Sequence, residues 1–226
     1  VLAIGIIVMQ SVIVQFDTLG GEMVSNAAQN GFGAANKLNN LLMTPLNGLG
    51  AAMTSFTAQN LGAGDHARIK KGTVQALFIV WTMCLISIAA GLLLSRGGGY
   101  LYIFLSPDKV TAETMRYGNT YLYVDLSLYL FLGFIFVVRN CVQGIGKPQF
   151  ILGGGVAELV ARVLVCLLLP AAVAGGEVSA AAPHTAYLAL CLADPMAWFA
   201  ADLVMVIPFI RNILKMDYRY LYKRRA

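Results

Sequence analysis

Six stretches of the chain have the hydrophobic pattern, or the small side chains, expected of helices that cross a membrane. A spanning helix needs roughly 20 mostly apolar residues. The clearest stretch, 73–95, contains no charged residue, whereas polar residues interrupt the others. The predicted spans are residues 1–27, 34–58, 73–95, 117–138, 150–172 and 187–210.

The second predicted span, 34–58, is polar for a membrane helix and is therefore expected inside a bundle. It contains four asparagines but also the small residues Gly48 and Gly50, which let helix backbones approach closely in a bilayer. Pro45 would break a helix in water, but neighbouring helices satisfy the freed carbonyl in a membrane. A position away from the lipid follows from both features.

The composition excludes an ordinary soluble domain. Of 226 residues, 58% are hydrophobic and only 12% are charged, with a mean hydropathy of +0.72. A soluble domain carries about 25% charged residues. In lipid the backbone must satisfy its own hydrogen bonds, so we predict an all-α membrane protein with lipid as its main partner.

The loops predict the orientation of the bundle. If the six spans alternate, eleven basic residues lie on one side and four on the other, with Arg162 inside a span. Basic loops stay in the cytoplasm, so the C-terminus and residues 58–72 are predicted to be cytoplasmic, in the plasma (inner) membrane. The eleven are Arg68, Lys70, Lys71, Arg139, Lys147, Arg211, Lys215, Arg219, Lys223, Arg224 and Arg225; the four are Lys37, Arg96, Lys109 and Arg116.

Other chemistries find little support in the sequence. The four cysteines lie in or beside apolar runs without CxxC spacing, the two histidines are isolated, and no HExxH, Gly-x-Ser-x-Gly or phosphate-binding loop occurs. We therefore predict no metal site, no cofactor and no enzyme activity. The basic, aromatic tail, 214–226, is interpreted as an anchor at lipid headgroups rather than a nucleic-acid site.

Two charged residues are predicted inside the fifth span. Glu158 and Arg162 are four residues apart, so they share one helix face and can form an ion pair. Charges at this depth are costly and need a reason. Two interpretations are open: an internal ion pair that locks the bundle, or a role in gating or substrate binding.

Three motifs resemble those of the multidrug and toxic compound extrusion (MATE) transporters. "AQNLGAGDHARIKKG" at 58–72 is similar to a cytoplasmic turn of that family. "VVRNCVQGIGKPQFILGGGVAELVAR" at 137–162 resembles a second turn and the helix after it, and "ADPMAWFAADL" at 193–203 resembles the opening of the last helix. The order of the motifs matches the C-terminal half of the family.

The resemblance implies a fold and a domain organisation. The family has two six-helix lobes around a V-shaped cavity, and residues 1–213 are expected to form the C-terminal lobe, followed by the tail 214–226. The chain is therefore expected to be a fragment whose partner is the missing N-terminal lobe.

The resemblance also implies a site for the coupling ion, Na⁺ or H⁺. Several branches of the family carry an acidic residue in the first helix of this lobe. The matching position falls near Gln15, with Asp17 the nearest carboxylate and Glu22 nearer the outer margin. Asp17 is either a cation or proton site or a locally solvated or paired acid. Asp125 is a further candidate, although the family's acid in that helix lies about a turn deeper.

Two aspartates of the last span have no counterpart in the family pattern. Asp194 stands before Pro195, and we interpret it as a cap of the last helix. Asp202 receives no role from the sequence.

The turns supply further expected site residues. A glycine of the first turn is expected to adopt positive φ and end one helix, while Asp65 caps the next. The turn residues are Gln59, Asn60, Gly62, Gly64 and Arg68 in the first turn and Arg139, Gln143, Gly144 and Gly146 in the second.

The expected function follows from the resemblance. It is the C-terminal half of a cation-coupled multidrug efflux antiporter that exports small amphiphilic, often cationic compounds; a lobe of a related flippase for lipid-linked sugars is the alternative. One group of side chains either lines an adaptable apolar cavity or simply packs between helices: Tyr121, Tyr123, Tyr129, Met9, Met43 and Met53.

Overall fold

The computed structural model describes residues 2–215, which are almost entirely helical. A short antiparallel hairpin of β1 (Thr18–Leu19) and β2 (Glu22–Met23) separates the first two helices. Short 3₁₀-helices lie at Arg96–Gly98 and Pro107–Lys109, and a short π-helix lies at Ile210–Leu214. The α-helices are α1 (Leu2–Gln15), α2 (Ala27–Gly62), α3 (His66–Ser95), α4 (Leu101–Phe104), α5 (Ala112–Ser127), α6 (Tyr129–Gly144), α7 (Pro148–Ala174), α8 (His184–Cys191) and α9 (Ala193–Phe209).

Three helical segments within the described residues are long and apolar enough to cross a membrane: His66–Gly98, Pro148–Ala174 and His184–Leu214. The pair α5 and α6 makes a fourth if it counts as one span. Large apolar side chains of α3 such as Phe78, Ile86 and Leu93 are exposed, as expected for a surface in contact with lipid. The fold class, an all-α membrane protein, is confirmed, while the count of six spans stays a prediction.

The prediction that residues 1–27 form one continuous span was wrong. The first helix ends at Gln15, and Gly20 and Gly21 adopt φ values of 60° and 87° in the hairpin turn. Only glycine adopts this backbone readily, so the two glycines reverse the chain. The second helix then starts at Ala27, before the expected residue 34.

Breaks also interrupt two other predicted spans. Residues 117–138 fall on two helices, α5 and α6, which meet at Leu128 with a bend of 55°. Residues 187–210 fall on α8 and α9, which meet at Leu192. No glycine or proline adjoins the break at Leu128, whereas Pro195 lies in the first turn of α9, just after the break at Leu192.

The helices pack in two groups around a polar interior. The long helix α2 contacts α3, α5 and α6, while α7 contacts α1, α8 and especially α9. The α6–α9 contact joins the groups. Asn39 of α2 and Glu158 and Arg162 of α7 are buried between them, whereas Asn40 and Asn47 are exposed. The position of the polar second span away from the lipid stays a prediction.

Most of the predicted tail, residues 216–226 of the range 214–226, lies outside the described part of the chain.

Candidate functional site

A polar cavity of about 310 Å³ opens between the two helix groups. Arg139 on α6, Glu158 and Arg162 on α7, and Asp194 on α9 bring charge into it. Asparagines of α2 face them from the other side. The remaining lining includes Asn36, Asn39, Asn40, Asn47, Ile6, Met43, Tyr121, Leu132, Ile135, Phe136 and Trp198. We call this space the central cavity.

Four charged side chains form one network in the central cavity. Glu158 accepts hydrogen bonds from Arg139 at 2.7 Å and from Arg162 at 3.4 Å, and Arg162 also forms an ion pair with Asp194 at 2.9 Å. Glu158 and Arg162 are each 5% exposed. The spacing of four residues on α7 thus produces the expected contact, while the stronger partners of both residues come from other helices. Whether the network locks or gates the protein stays a prediction.

The interpretation of Asp194 as a helix cap was wrong. It is the second residue of α9, where Leu192 holds the cap position. Its carboxylate forms an ion pair with Arg162 and accepts a hydrogen bond from the Tyr121 hydroxyl at 3.0 Å. The sequence signal for this ion pair was weak: Asp194 is an acidic residue in an apolar predicted span, and Arg162 is a basic residue in another.

Asp125 is fully buried on α5 beside this network. One oxygen accepts from the Asn39 amide at 2.7 Å, and the other, Oδ1, has no hydrogen-bond partner among the described residues. No salt bridge reaches it within residues 2–215. Asp125 is therefore a carboxylate of the polar interior that has no basic side chain bonded to it.

Carboxylates outnumber guanidinium groups in this interior. Glu158, Asp194 and Asp125 face only Arg139 and Arg162. An uncompensated buried charge is expensive, so it is neutralised by a proton or held by a cation. The arrangement can therefore take up one positive charge, either a proton, a metal cation or an organic cation.

Asp17 lies elsewhere and already has partners. Its fully buried carboxylate accepts backbone N–H groups of Ala28 at 3.1 Å and Gln29 at 3.0 Å, in the first turn of α2. A carboxylate there also interacts favourably with the helix dipole. Gln15 faces a different surface hollow next to α7, and Glu22 is exposed in the hairpin. The structure thus brings none of these three residues to the central cavity.

The first turn has the expected local geometry. Gly64 has φ of +75°, and the Asp65 side chain accepts from the N–H of Arg68 at 2.9 Å, capping α3. Asn60 is buried and donates to the carbonyl of Phe56 at 2.7 Å. Gln59 and Gly62 belong to the last turn of α2. These residues stop one helix and start another.

The second turn fastens α6 to the end of α2. A Cβ on Gly144 would lie 2.6 Å from the carbonyl oxygen of Thr54, so the two helices touch there. Gly146 has φ of +74° and reverses the chain, after Gln143 in the last turn of α6. Lys147 then bonds Asn212 beyond α9. Arg139 lies inside α6, seven residues before Gly146, and is not part of the turn. It binds Glu158 in the central cavity.

Some of the aromatic and methionine side chains line the cavity, and the others pack between helices. Tyr121 and Met43 line the central cavity. Met9, Met53 and Tyr129 are buried in helix packing, and Tyr123 is exposed with its hydroxyl bonded to Ser95. The cavity is thus more polar than these residues suggested.

Comparison with known protein families agrees with this architecture. The MatE family matches residues 3–168, a range that includes both turns and three of the four charges in the network. The motif at 193–203 lies beyond the match. No curated protein and no solved structure gives a significant match to the chain. Since the matched range covers well over half of the sequence, the chain belongs to the MatE family of membrane transporters.

Proposed function

We propose that this chain is the C-terminal half of a cation-coupled multidrug efflux antiporter. Residues 1–213 form its six-helix lobe and pack against an N-terminal lobe of the same transporter in the cell membrane. The protein exchanges Na⁺ or H⁺ for organic, often cationic compounds. The excess of basic residues on one side supports a cytoplasmic tail.

The observation that carries this proposal is the surplus carboxylate beside the central cavity. Coupled exchange needs a group that holds either the ion or the substrate, and a buried carboxylate alternates between its charged and its protonated form as its surroundings change. Glu158 and Asp194 already bind arginines. Asp125 binds an amide on one oxygen only, so it is our candidate for the coupling residue.

The position of Asp125 suits a moving part. It lies three residues before Leu128, where α5 and α6 meet at the bend. Discontinuous helices frame ion sites in many transporters because they offer free backbone groups and a hinge. A charge change at Asp125 therefore acts in the last turn of α5, next to the bend.

The alternative, a flippase for lipid-linked sugars, is less well supported. A carrier of anionic headgroups needs a cavity with excess positive charge. Here three carboxylates meet two guanidinium groups. An organic cation fits this balance better than a phosphate does.

Gradient-driven transport by the complete two-lobe transporter tests the proposal. In proteoliposomes, an imposed Na⁺ or H⁺ gradient should drive uptake of ethidium, and Asp125→Asn should lower this uptake by about tenfold or more. Ethidium exchange without an ion gradient should remain within about threefold of the parent, because the variant removes coupling and not the cavity.

Glu22→Gln is the matched control, because it removes an exposed carboxylate from the same chain. It should leave both assays unchanged. Full coupling in Asp125→Asn would remove Asp125 from the mechanism, and transport of lipid-linked sugars without ethidium transport would favour the flippase.

A further inference from the structure

Asp202 on α9 is a buried carboxylate that no described residue binds. It is 7% exposed, both of its oxygens are closed to the surface, and neither accepts a hydrogen bond from any described residue. Leaving a buried carboxylate unpaired is costly, and the coupling proposed for Asp125 does not involve it. The closed position of the oxygens points to a partner inside the protein rather than to a ligand from the membrane.

Arg139 on α6 is a basic side chain whose positive charge acts on the Asp202 carboxylate. In this structure its Nη2 donates to Glu158 at 2.7 Å, whereas its buried Nε–H donates to no described residue. A guanidinium carries five N–H donors in a fixed fork. Arg139 therefore has donors left for a second carboxylate.

Two contacts define how α7 and α9 lie against each other. Near the start of α7, a Cβ on Gly154 would lie 3.0 Å from the Met205 side chain of α9. Two turns further along α7, Arg162 forms an ion pair at 2.9 Å with Asp194, near the start of α9. The two helices therefore run antiparallel, and a step forward along α7 corresponds to a step back along α9.

This register brings two carboxylates to neighbouring levels of the bundle. Glu158 lies midway between Gly154 and Arg162 on α7, so it is level with a part of α9 that is within about one turn of Asp202. The Arg139 guanidinium is bonded to Glu158 and lies at the same level. Because α6 contacts both α7 and α9, Arg139 has one carboxylate near it on each of the two helices.

We propose that Asp202 is a second partner of Arg139, whose guanidinium exchanges between Glu158 and Asp202. The exchange moves the attachment of α6 from α7 to α9. It lets the pair of Arg139 and Glu158 open without stranding a buried arginine, which would be expensive. Asp202 is thus a positioning residue, because it acts on the cavity by holding Arg139 away from Glu158.

The exchange changes the charge that lines the central cavity. When Arg139 moves to Asp202, Glu158 keeps only Arg162, which lies 3.4 Å away and is shared with Asp194. Negative charge is then uncovered in the cavity and attracts a cation. This consequence rests on the proposed function, whereas the exchange itself does not.

Melting temperatures of the chain in lipid nanodiscs test the exchange through a change of sign. In the parent, Asp202→Asn should leave the melting temperature unchanged or raise it, because it removes a carboxylate that no described residue binds. In a Glu158→Gln background Arg139 depends on Asp202, so Asp202→Asn should lower the melting temperature by about 5 °C or more. Once Arg139→Gln is added to that background, Asp202→Asn should again cause no loss, since no arginine is left to strand.

Asp17→Asn is the matched control, because it makes the same substitution at a buried carboxylate outside the network. It should change the melting temperature equally with and without Glu158→Gln, as independent sites do.

Ethidium exchange by the complete two-lobe transporter tests the consequence for the cavity. Asp202→Asn should slow it by about fivefold or more, because Arg139 then stays on Glu158. A parent transporter that moves no ethidium would contradict the proposed function, whereas the melting temperatures do not depend on transport.

Three results would overturn the inference. The same effect of Asp202→Asn on melting in both backgrounds would show that Arg139 does not reach Asp202. A large loss of folded yield in Glu158→Gln alone, measured by size-exclusion chromatography, would show that no second partner receives Arg139. Unchanged ethidium exchange in Asp202→Asn, with an active parent transporter, would show that Asp202 does not control the cavity.

Discussion

Aspartates of this chain differ in role because their surroundings differ. Asp17 receives two backbone N–H groups, Asp194 receives an arginine and a tyrosine, Asp125 receives one amide, and Asp202 receives nothing from the described residues. Buried carboxylates with complete sets of donors stabilise the fold, and those with incomplete sets are available for ligands. The number of donors, rather than depth in the membrane, separates structural from functional acids.

Asp17→Asn should therefore destabilise the protein without uncoupling it. The variant loses one acceptor and the charge at the start of α2, and loss of a cap costs about 0.5–2 kcal/mol. The expected result is a lower melting temperature in nanodiscs, with normal ion dependence of transport in the folded fraction of the complete transporter. Glu22→Gln, exposed nearby, should melt like the parent. A fully stable Asp17→Asn that has lost coupling would return Asp17 to the list of ion sites.

Arg162→Ala should have a larger effect on stability. Arg162 bonds both Glu158 and Asp194, and removing one member of a buried ion pair typically costs about 3–5 kcal/mol. We expect a large loss of folded yield, measured by size-exclusion chromatography. Arg162→Ala combined with Asp194→Asn should recover part of that yield, because one stranded charge is removed. No recovery would mean that the packing of Arg162 against α1, near Gly5, matters more than its charge.

The sequence predicts part of this network and not the rest, for a geometric reason. A spacing of four residues places Glu158 and Arg162 together on any helix, so their contact follows from the sequence. Arg139 and Asp194 reach them from α6 and α9, at distances along the chain that no local pattern links. The position of Asp17 in the first predicted span likewise suggested an ion site. The structure shows instead that the hairpin brings the start of α2 back to Asp17, where two N–H groups bind the carboxylate.

At the scale of elements, polar α2 is held by close backbone contact rather than by apolar side chains. A Cβ on Gly31 would lie 2.5 Å from the carbonyl oxygen of Thr114 and 2.8 Å from the nitrogen of Gly118 on α5. Small residues at such crossings let helices pack in a bilayer. The asparagines of α2 then remain free to line the central cavity.

Gly31→Ala should push α2 and α5 apart. Overpacking of this kind costs about 1–3 kcal/mol, and the clash is with backbone, which cannot turn aside. Gly33→Ala is the matched control, because nothing lies within 4 Å of its Cβ position on the same helix; alanine there should be neutral or stabilising by up to about 1 kcal/mol. Equal melting temperatures for the two variants would contradict the close contact.

Hydropathy located the long apolar helices well and their breaks poorly. The predicted 73–95 and 150–172 lie inside α3 and α7. The end of α1 was signalled by Gly20 and Gly21, but the apolar run before them suggested a longer helix. The bend at Leu128 has no glycine or proline beside it. Both α5 and α6 pack on α2, while α5 also contacts α8 and α6 contacts α9.

For the whole molecule, the arrangement separates an apolar exterior from a charged interior. The exterior of α3 and α7 is lined with exposed leucine, isoleucine and valine. Arg139, Glu158, Arg162 and Asp194 line the central cavity. Such a separation requires lipid on the outside, and the basic turns predict which end faces the cytoplasm.

Cysteine labelling tests that orientation. Ala63 lies in the basic first turn and Glu177 in the connection after α7, and both are exposed. The four native cysteines are completely buried, so the parent chain should not react with a membrane-impermeant maleimide. In intact cells Glu177→Cys should be labelled and Ala63→Cys should not; in inverted vesicles the result should reverse, because basic loops resist translocation.

Ala63 is preferred to Asp65, whose substitution would remove the cap of α3. Labelling of both positions from one side would mean that an odd number of the proposed crossings between them is absent, and the bent pair α5 and α6 would then be the first to re-examine as a re-entrant segment.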